Sequence, residues 1–237
     1  TDQSGEGNDF TLGGGTLTNL KDNPDNTFAT FNPLGVSRGQ IYGNGNTNTT
    51  TVPNAAQIGG FSTLGMSSGK YYAEFELDSF NTNRSQIGIA DDPVELDRTN
   101  TVLGESTYSV SYLGNGGNIV KNSSAVGSGS SYTTGDIIGV VLNLDDNNIL
   151  FYKNGVVQNS GTPISITAAS STPTGFYFFT VGDSSASYKS QHKANFGNGY
   201  FGTTAVTTNS GNGYSGAEGS SKFNYTVPAG YSALSTK

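Results

Sequence analysis

The sequence contains no cysteine. That excludes disulfides, thiolate metal sites and a cysteine nucleophile. It favours a chain made in a reducing compartment over a disulfide-stapled secreted domain. Histidine is nearly absent: His192 is the only one. A histidine metal cluster is therefore impossible, and a Ser-His-Asp triad would have to use this residue. No nucleophile-elbow pattern accompanies it, so His192 is expected to be exposed or at an edge. Tryptophan is missing, and with it the largest aromatic platform a sugar cleft can offer. Charge is sparse as well, with 11 Lys and Arg against 18 Asp and Glu, a net charge of −7. Nucleic-acid binding would want a basic patch, which this balance disfavours. No apolar run approaches the roughly 20 residues of a membrane helix, and no signal-peptide pattern is visible.

What is present is glycine (34 residues) and tyrosine and phenylalanine (13 each) in a chain of 237. The aromatics supply the expected core, with polar uncharged loops around it. No window of 11 or more residues carries a helical period, so the chain is read as all-β, a two-layer antiparallel sandwich. The clearest stretch is residues 135–155. An apolar run at 137–144 reads as a strand buried on both sides. Asp145-Asp146-Asn147-Asn148 reads as a turn, and 149–153 as a second strand. Asn154-Gly155 is a strong hairpin signal, because a type I′ turn needs two residues at positive φ. Val156-Val157 begins the return.

Other strands are expected at 27–31, 58–64, 85–90, 107–113, 118–121, 164–167, 175–181, 192–195 and 222–227. Residues 70–78 alternate, with Tyr71, Ala73, Phe75 and Leu77 toward a core and Tyr72, Glu74, Glu76 and Asp78 toward water. Residues 1–20 read as an arm, with a turn at Asn23-Pro24-Asp25. Residues 36–56, 91–106, 122–131, 182–190 and 198–219 read as loops. The expected organisation is an N-terminal arm with first strands (1–56), a sandwich core (57–200) and a C-terminal arm with the last strand (201–237).

Two resemblances follow from named residues. The Gly135-Asp136 pair, the apolar strand, the Leu144-Asp145 turn and Phe151-Tyr152-Lys153-Asn154-Gly155 resemble the core of the SPRY (B30.2) family. Gly69-Lys70-Tyr71-Tyr72-Ala73-Glu74, Ile87-Gly88-Ile89-Ala90 and Asn195-Phe196-Gly197 resemble its earlier strands and closing motif. The span is about 69–197. This resemblance implies a concanavalin-like jelly-roll sandwich used mainly for binding, with no shared catalytic residues. The chain ends carry the second resemblance. Ser4-Gly5-Glu6-Gly7-Asn8-Asp9-Phe10, Asp22-Asn23-Pro24 and Phe28-Ala29-Thr30-Phe31-Asn32-Pro33-Leu34 are similar to a module of tailed-phage structural proteins, especially from marine phages. The end of the chain, from Phe223-Asn224-Tyr225 through Gly230-Tyr231-Ser232-Ala233-Leu234, resembles the close of that module. Ser235 stands where the pattern usually has cysteine.

Candidate chemistry is limited. Glu74, Glu76 and Asp78 share a strand face at roughly 6.5 to 7 Å spacing. Retaining glycosidases need two carboxyls about 5 to 5.5 Å apart, so the triplet suggests a glycan hydrolase only loosely, against the simpler reading of a solvated face. Asp145–Asn148, and Asp91 and Asp92 with Asp97, offer oxygens that suit Ca²⁺, but turn chemistry explains both. Asp91, Asp92, Tyr132 and Tyr188 are the ligand-binding candidates, the tyrosines as stacking platforms at loop borders; edge-of-core packing is the simpler role for both, and the favoured one for Tyr132. No catalytic residue, metal site or cofactor is expected.

The phage resemblance implies a virion structural protein, a tail-fibre, spike or decoration subunit acting in host-surface adhesion or particle assembly. Its partners would be other virion proteins, copies of itself in a homo-oligomer, or host-surface glycan, with no nucleic acid and no membrane insertion. Its location would be the virion, otherwise extracellular. The alternatives are a glycan-active hydrolase on a concanavalin-like fold and a peptide-binding SPRY module of a cellular or extracellular protein.

Overall fold

The computed structural model describes residues 26–35, 40–51, 58–184, 187–206 and 221–236. The expected arm at 1–20, the turn at 23–25 and the greater part of the glycine-rich stretch at 198–219 lie outside them. Among the described residues the fold is two packed antiparallel sheets. One runs in the order β1 (Ile41–Gly43), β2 (Asn48–Thr50), β14 (Ser190–Asn195), β4 (Lys70–Phe80), β9 (Ile137–Asn143), β10 (Asn148–Lys153), β11 (Val156–Val157). Its far edge along β10 is shared between β11 and β12 (Ile164–Ser165). The second runs β3 (Ile58–Phe61), β13 (Phe178–Asp183), β5 (Ser85–Ala90), β6 (Ser109–Leu113), β7 (Asn118–Lys121), β8 (Ser124–Ser128). A small hairpin, β15 (Tyr200–Phe201) with β16 (Thr204–Ala205), stands apart.

The expected meander forms as read. Asn143 pairs with Asn148 across the first turn, and Lys153 with Val156 across the second. Asn154 and Gly155 take φ of 49° and 78°, the two positive values a type I′ turn demands. The inner faces of the sheets meet in an aromatic core. Phe31, Phe75, Phe179 and Phe196 contact one another there, with centroids 5.6 to 6.3 Å apart. Ile87, Val110, Val140 and Phe151 belong to the same cluster. Gly88 is required by sheet packing: a Cβ there would sit 1.9 Å from the Val110 carbonyl oxygen.

Several expected loops carry structure. Residues 40–51 are largely a hairpin that extends the edge of the first sheet, with β2 pairing β14. Its turn is made by Asn44, Gly45 and Asn46, all at positive φ. Residues 124–128 form an edge strand, β8, on β7. Residues 93–99 form a helix, α1 (Pro93–Thr99). At seven residues it is too short for a periodicity window, but its start is legible. Asp92 caps it by accepting from the Glu95 amide at 2.9 Å, and Pro93 occupies the first turn, the expected grammar of a helix start.

The segments 27–31 and 232–236 are built together. Ala29 N–H donates to the Leu234 carbonyl at 2.9 Å, and Thr236 N–H to Thr27 at 3.0 Å. The expected strand at 27–31 is thus two isolated bridges, Phe28 with Ser235 and Phe31 with Ser62. The expected last strand at 222–227 is reduced to a bridge between Lys222 and Asn198. The last strand among the described residues is instead β17 (Ser232–Ala233), which adds parallel to β4 at Tyr71 and Tyr72. Because β14 stops opposite Glu74, that edge of β4 is open for it. The closing motif sits at this junction. Gly197 has φ of 124°, and a Cβ there would lie 2.6 Å from Phe28 and 2.7 Å from Ala233.

Candidate functional site

The outward face of β4 is not the wet face that alternation predicts. Tyr72 is buried beneath Phe223, with ring centroids 4.9 Å apart at 76°. Together with Phe28, Val141, Val227 and Ala233 they form a second apolar cluster outside the sheet. Glu74 is fully buried under the same cover. Its carboxyl accepts from the Asn224 amide (2.7 Å), the Tyr225 amide (2.8 Å), the Tyr72 hydroxyl (3.0 Å) and Asn195 Nδ2 (3.4 Å). Burial pushes this carboxyl up to about 7, and the four donors pull against that rise. Glu76 and Asp78 are joined by Lys193, at 3.3 and 2.5 Å. The triplet therefore presents no open carboxylate pair: one member is sealed as an anchor for the C-terminal segment, and two share a lysine. The missing signal was the far end of the chain, which alternation along one strand cannot see.

His192 is also corrected. It lies in the interior on β14, fully buried, not at an exposed edge. Its Nε2 is 2.7 Å from Ser85 Oγ, and its Nδ1 has no hydrogen-bond partner among the described residues. Burial drives the imidazole down to about 3, so it is neutral. Asp183, a buried acid on β13, accepts from Thr51 Oγ1 and from Ser190 Oγ (2.6 Å) and not from His192. The group is a buried polar tie between the sheets, with no triad.

The four ligand-binding candidates divide between opposite ends of the sandwich. Tyr132 and Tyr188 lie toward the end where β5 begins. Tyr132 is only 1% exposed and donates to the Tyr112 carbonyl at 2.9 Å. It is a core residue, in keeping with the core packing read as its simpler role, and its ring is not open to stack on a ligand. Tyr188 is half-buried, with the Arg84 guanidinium 5.8 Å from its ring centroid.

Asp91 and Asp92 lie where β5 ends. They border a cavity of about 190 Å³ together with Glu95 and Leu96 of α1, Ser106, Tyr108 and Pro173. Sequence reasoning missed Leu96, Tyr108 and Pro173, because only the helix and the return of the chain before β13 bring them to Asp91. Asp91 is 4% exposed, and its Oδ2 has no hydrogen-bond partner. Burial raises its carboxyl to about 6. Asp97 lies apart, buried and close enough to Tyr42 for its charge to help raise that phenol. Asp145–Asn148 is occupied in turn chemistry: Asp145 accepts from the Gly69 amide, and Asp146 accepts from Asn143 Nδ2 and pairs with Lys70. Among the described residues no three His, Cys, Asp or Glu side chains converge as a metal site would need. A wider groove, about 620 Å³, runs between Tyr152 and Gly155 on one side and Thr226 to Gly230 on the other.

Comparison with known proteins agrees with this architecture. The SPRY of human HERC1 is a solved domain similar to this chain, at 21% identity with a TM-score of 0.53, covering 69% of this chain and 96% of that one. Stonustoxin is similar at 16% identity with a TM-score of 0.50, covering 71% of this chain and 27% of the toxin chain. At these identities the likeness is one of fold. No curated protein matches the sequence. The SPRY domain model matches residues 70–199, more than half of the 237, and the chain belongs to the SPRY domain family.

Proposed function

We propose that the protein is a structural subunit of a tailed-phage virion, part of a tail fibre, spike or decoration, and that it serves host-surface adhesion. The observation that carries this reading is the way the described flanking segments, 26–35 and 221–236, are built in. The blocks that resemble the phage module, at 28–34 and 223–236, flank the 70–199 match on both sides. They bond to each other through Ala29 and Leu234. They also bond to the sandwich, through Glu74 and the amides of Asn224 and Tyr225. Core and flanks thus make one folded unit, which is what a resemblance spanning both would require. Loops at the ends of a rigid sandwich are a usual place for recognition. The groove beside Tyr152 falls within the roughly 300 to 1,000 Å³ of small-ligand sites, so host-surface glycan is the partner we favour.

The test incubates the purified protein with envelopes of the host bacterium and measures retention and released reducing ends together. Retention without reducing ends is expected. Reducing ends that disappear in Glu74→Gln would replace adhesion by hydrolysis. No retention would leave assembly as the role of the subunit and overturn adhesion.

A further inference from the structure

We infer that Asn115 is a site of self-modification: the Gly116 amide nitrogen closes on its side chain, ammonia leaves, and water converts the residue to aspartate or isoaspartate. The inference stands apart from the virion reading and does not depend on it. Asparagine is chemically labile, and most so before glycine, whose amide nitrogen has no Cβ beside it. The sequence offers five such pairs, beginning at Asn44, Asn115, Asn154, Asn198 and Asn212. Asn212 lies outside the described residues. Ring closure asks two things of the others. The asparagine side chain must be free, and the peptide joining it to glycine must turn until the nitrogen meets Cγ. A hydrogen bond to either part has to break first.

Three of the four described pairs are held. Asn198 is buried, its Oδ1 accepts from the Tyr200 amide at 3.4 Å, and the Gly199 amide that would attack donates to Asn195 Oδ1 at 3.1 Å. Asn154 is exposed, but its Oδ1 accepts from the Ile137 amide at 2.8 Å and its Nδ2 donates to Asp136 at 2.6 Å. Asn44 is exposed too, but its carbonyl belongs to the peptide that must turn. That carbonyl accepts from the Thr47 amide at 3.4 Å and the Thr47 hydroxyl at 2.7 Å. Asn115 has none of these restraints. It and Gly116 are exposed in the turn between β6 and β7. Among the described residues its side chain, its carbonyl and the Gly116 amide form no hydrogen bond. A Cβ on Gly116 would meet nothing within 4 Å, so there is room for the ring. The turn's flanks are tied down, Gly114 N–H to the Ser85 carbonyl at 2.9 Å and Gly129 N–H to the Gly117 carbonyl at 2.8 Å.

The step needs no cofactor. The bond from Gly116 N to Cγ forms as the bond from Cγ to Nδ2 breaks, and the Gly116 proton leaves with the amide as ammonia. Water then opens the ring at either carbonyl. Each product carries a carboxylate where a neutral amide stood, a change of charge. Gly114, in the same turn, lies against Asn83, so the new charge arrives at the end of the sandwich that holds Arg84 and Tyr188.

The experiment ages the whole natural chain in mildly alkaline buffer and follows each asparagine by peptide mass spectrometry, with isoaspartate scored by enzymatic methylation. A parallel sample is aged in guanidinium. In the folded sample, conversion at Asn115 should run about tenfold or more ahead of Asn44, Asn154 and Asn198, the factor that one or two retained hydrogen bonds impose. In guanidinium the four rates should come together. Asn115→Gln, whose longer side chain disfavours the ring, should keep its amide; loss at the same rate would mean direct hydrolysis and overturn the ring closure. Equal rates at the four positions of the folded chain, or a lead by Asn44, Asn154 or Asn198, would overturn the inference. So would an Asn115 that converts in guanidinium and not in the folded chain.

Discussion

Glu74 makes the sharpest energetic prediction. Its carboxyl is fully buried and fastens the C-terminal segment through two backbone amides, a phenol and an asparagine. Burial lifts it from 4.5 to about 7. A folded pKa above the unfolded one contributes stability that is fully present below pH 4.5 and lost as pH rises through 7. The difference between those two values corresponds to roughly 3 kcal/mol. Glu74→Gln keeps the volume and removes the titration. Urea unfolding of both proteins from about pH 4 to about pH 8 should therefore show their stability difference moving by roughly 3 kcal/mol, against the natural chain at high pH. Other groups titrate in this range, but they cancel in the difference. Glu74→Ala strips the acceptor from four donors; Asn195 keeps the Lys222 carbonyl, and the other three each cost about 1 to 3 kcal/mol when left buried and unpaired. In that variant the amides of Asn224 and Tyr225 should exchange with solvent well before those of the central strands. Parallel curves for natural and Gln proteins across the whole range would refute the reasoning, because they would mean that the carboxyl is not desolvated.

Phe223 packs edge-on against Tyr72 and is fully buried, so Phe223→Ala should cost about 3 to 5 kcal/mol, read by thermal or urea unfolding. A cost below about 1 kcal/mol would mean that the C-terminal segment lies loosely on the sheet. His192 works against Glu74 in pH. Its folded pKa is depressed to about 3 from 6.5, so its contribution is present above pH 6.5 and lost as pH falls toward 3. The stability of the natural chain relative to His192→Gln should drop by roughly 4 kcal/mol over that span. A constant difference would place the imidazole in contact with water.

Much of the sandwich is legible in the sequence because its signals are local. The alternation in β4, the apolar run of β9 and the Asn154-Gly155 turn each need only a few neighbouring residues to be read. What failed to show was set by distant partners. Glu74 alternates with core residues like any solvated carboxylate, and only the arrival of Asn224 and Tyr225 some 150 residues later buries it. His192 lies between polar neighbours and reads as an edge residue, yet β14 is flanked by β2 and β4 and is therefore internal to its sheet. Tyr132 follows a serine- and glycine-rich stretch, which suggested a loop border. Its hydroxyl instead reaches back to the carbonyls of Ser85 and Tyr112. At the Asp91 cavity the two aspartates were visible, but the wall opposite comes from α1, Tyr108 and Pro173. That wall was concealed by a helix shorter than any periodicity can register, although Asp92, Pro93 and Glu95 spell its first turn.

The reading of the chain as a virion subunit is tested most directly by finding where the native protein resides. Lysates that contain the native chain would be separated on a density gradient, and the chain quantified by mass spectrometry in the particle and soluble fractions. A virion subunit should co-sediment with particles in fixed proportion to the other tail or surface proteins. Recovery of the chain only as a free species, with intact particles lacking it, would contradict the account.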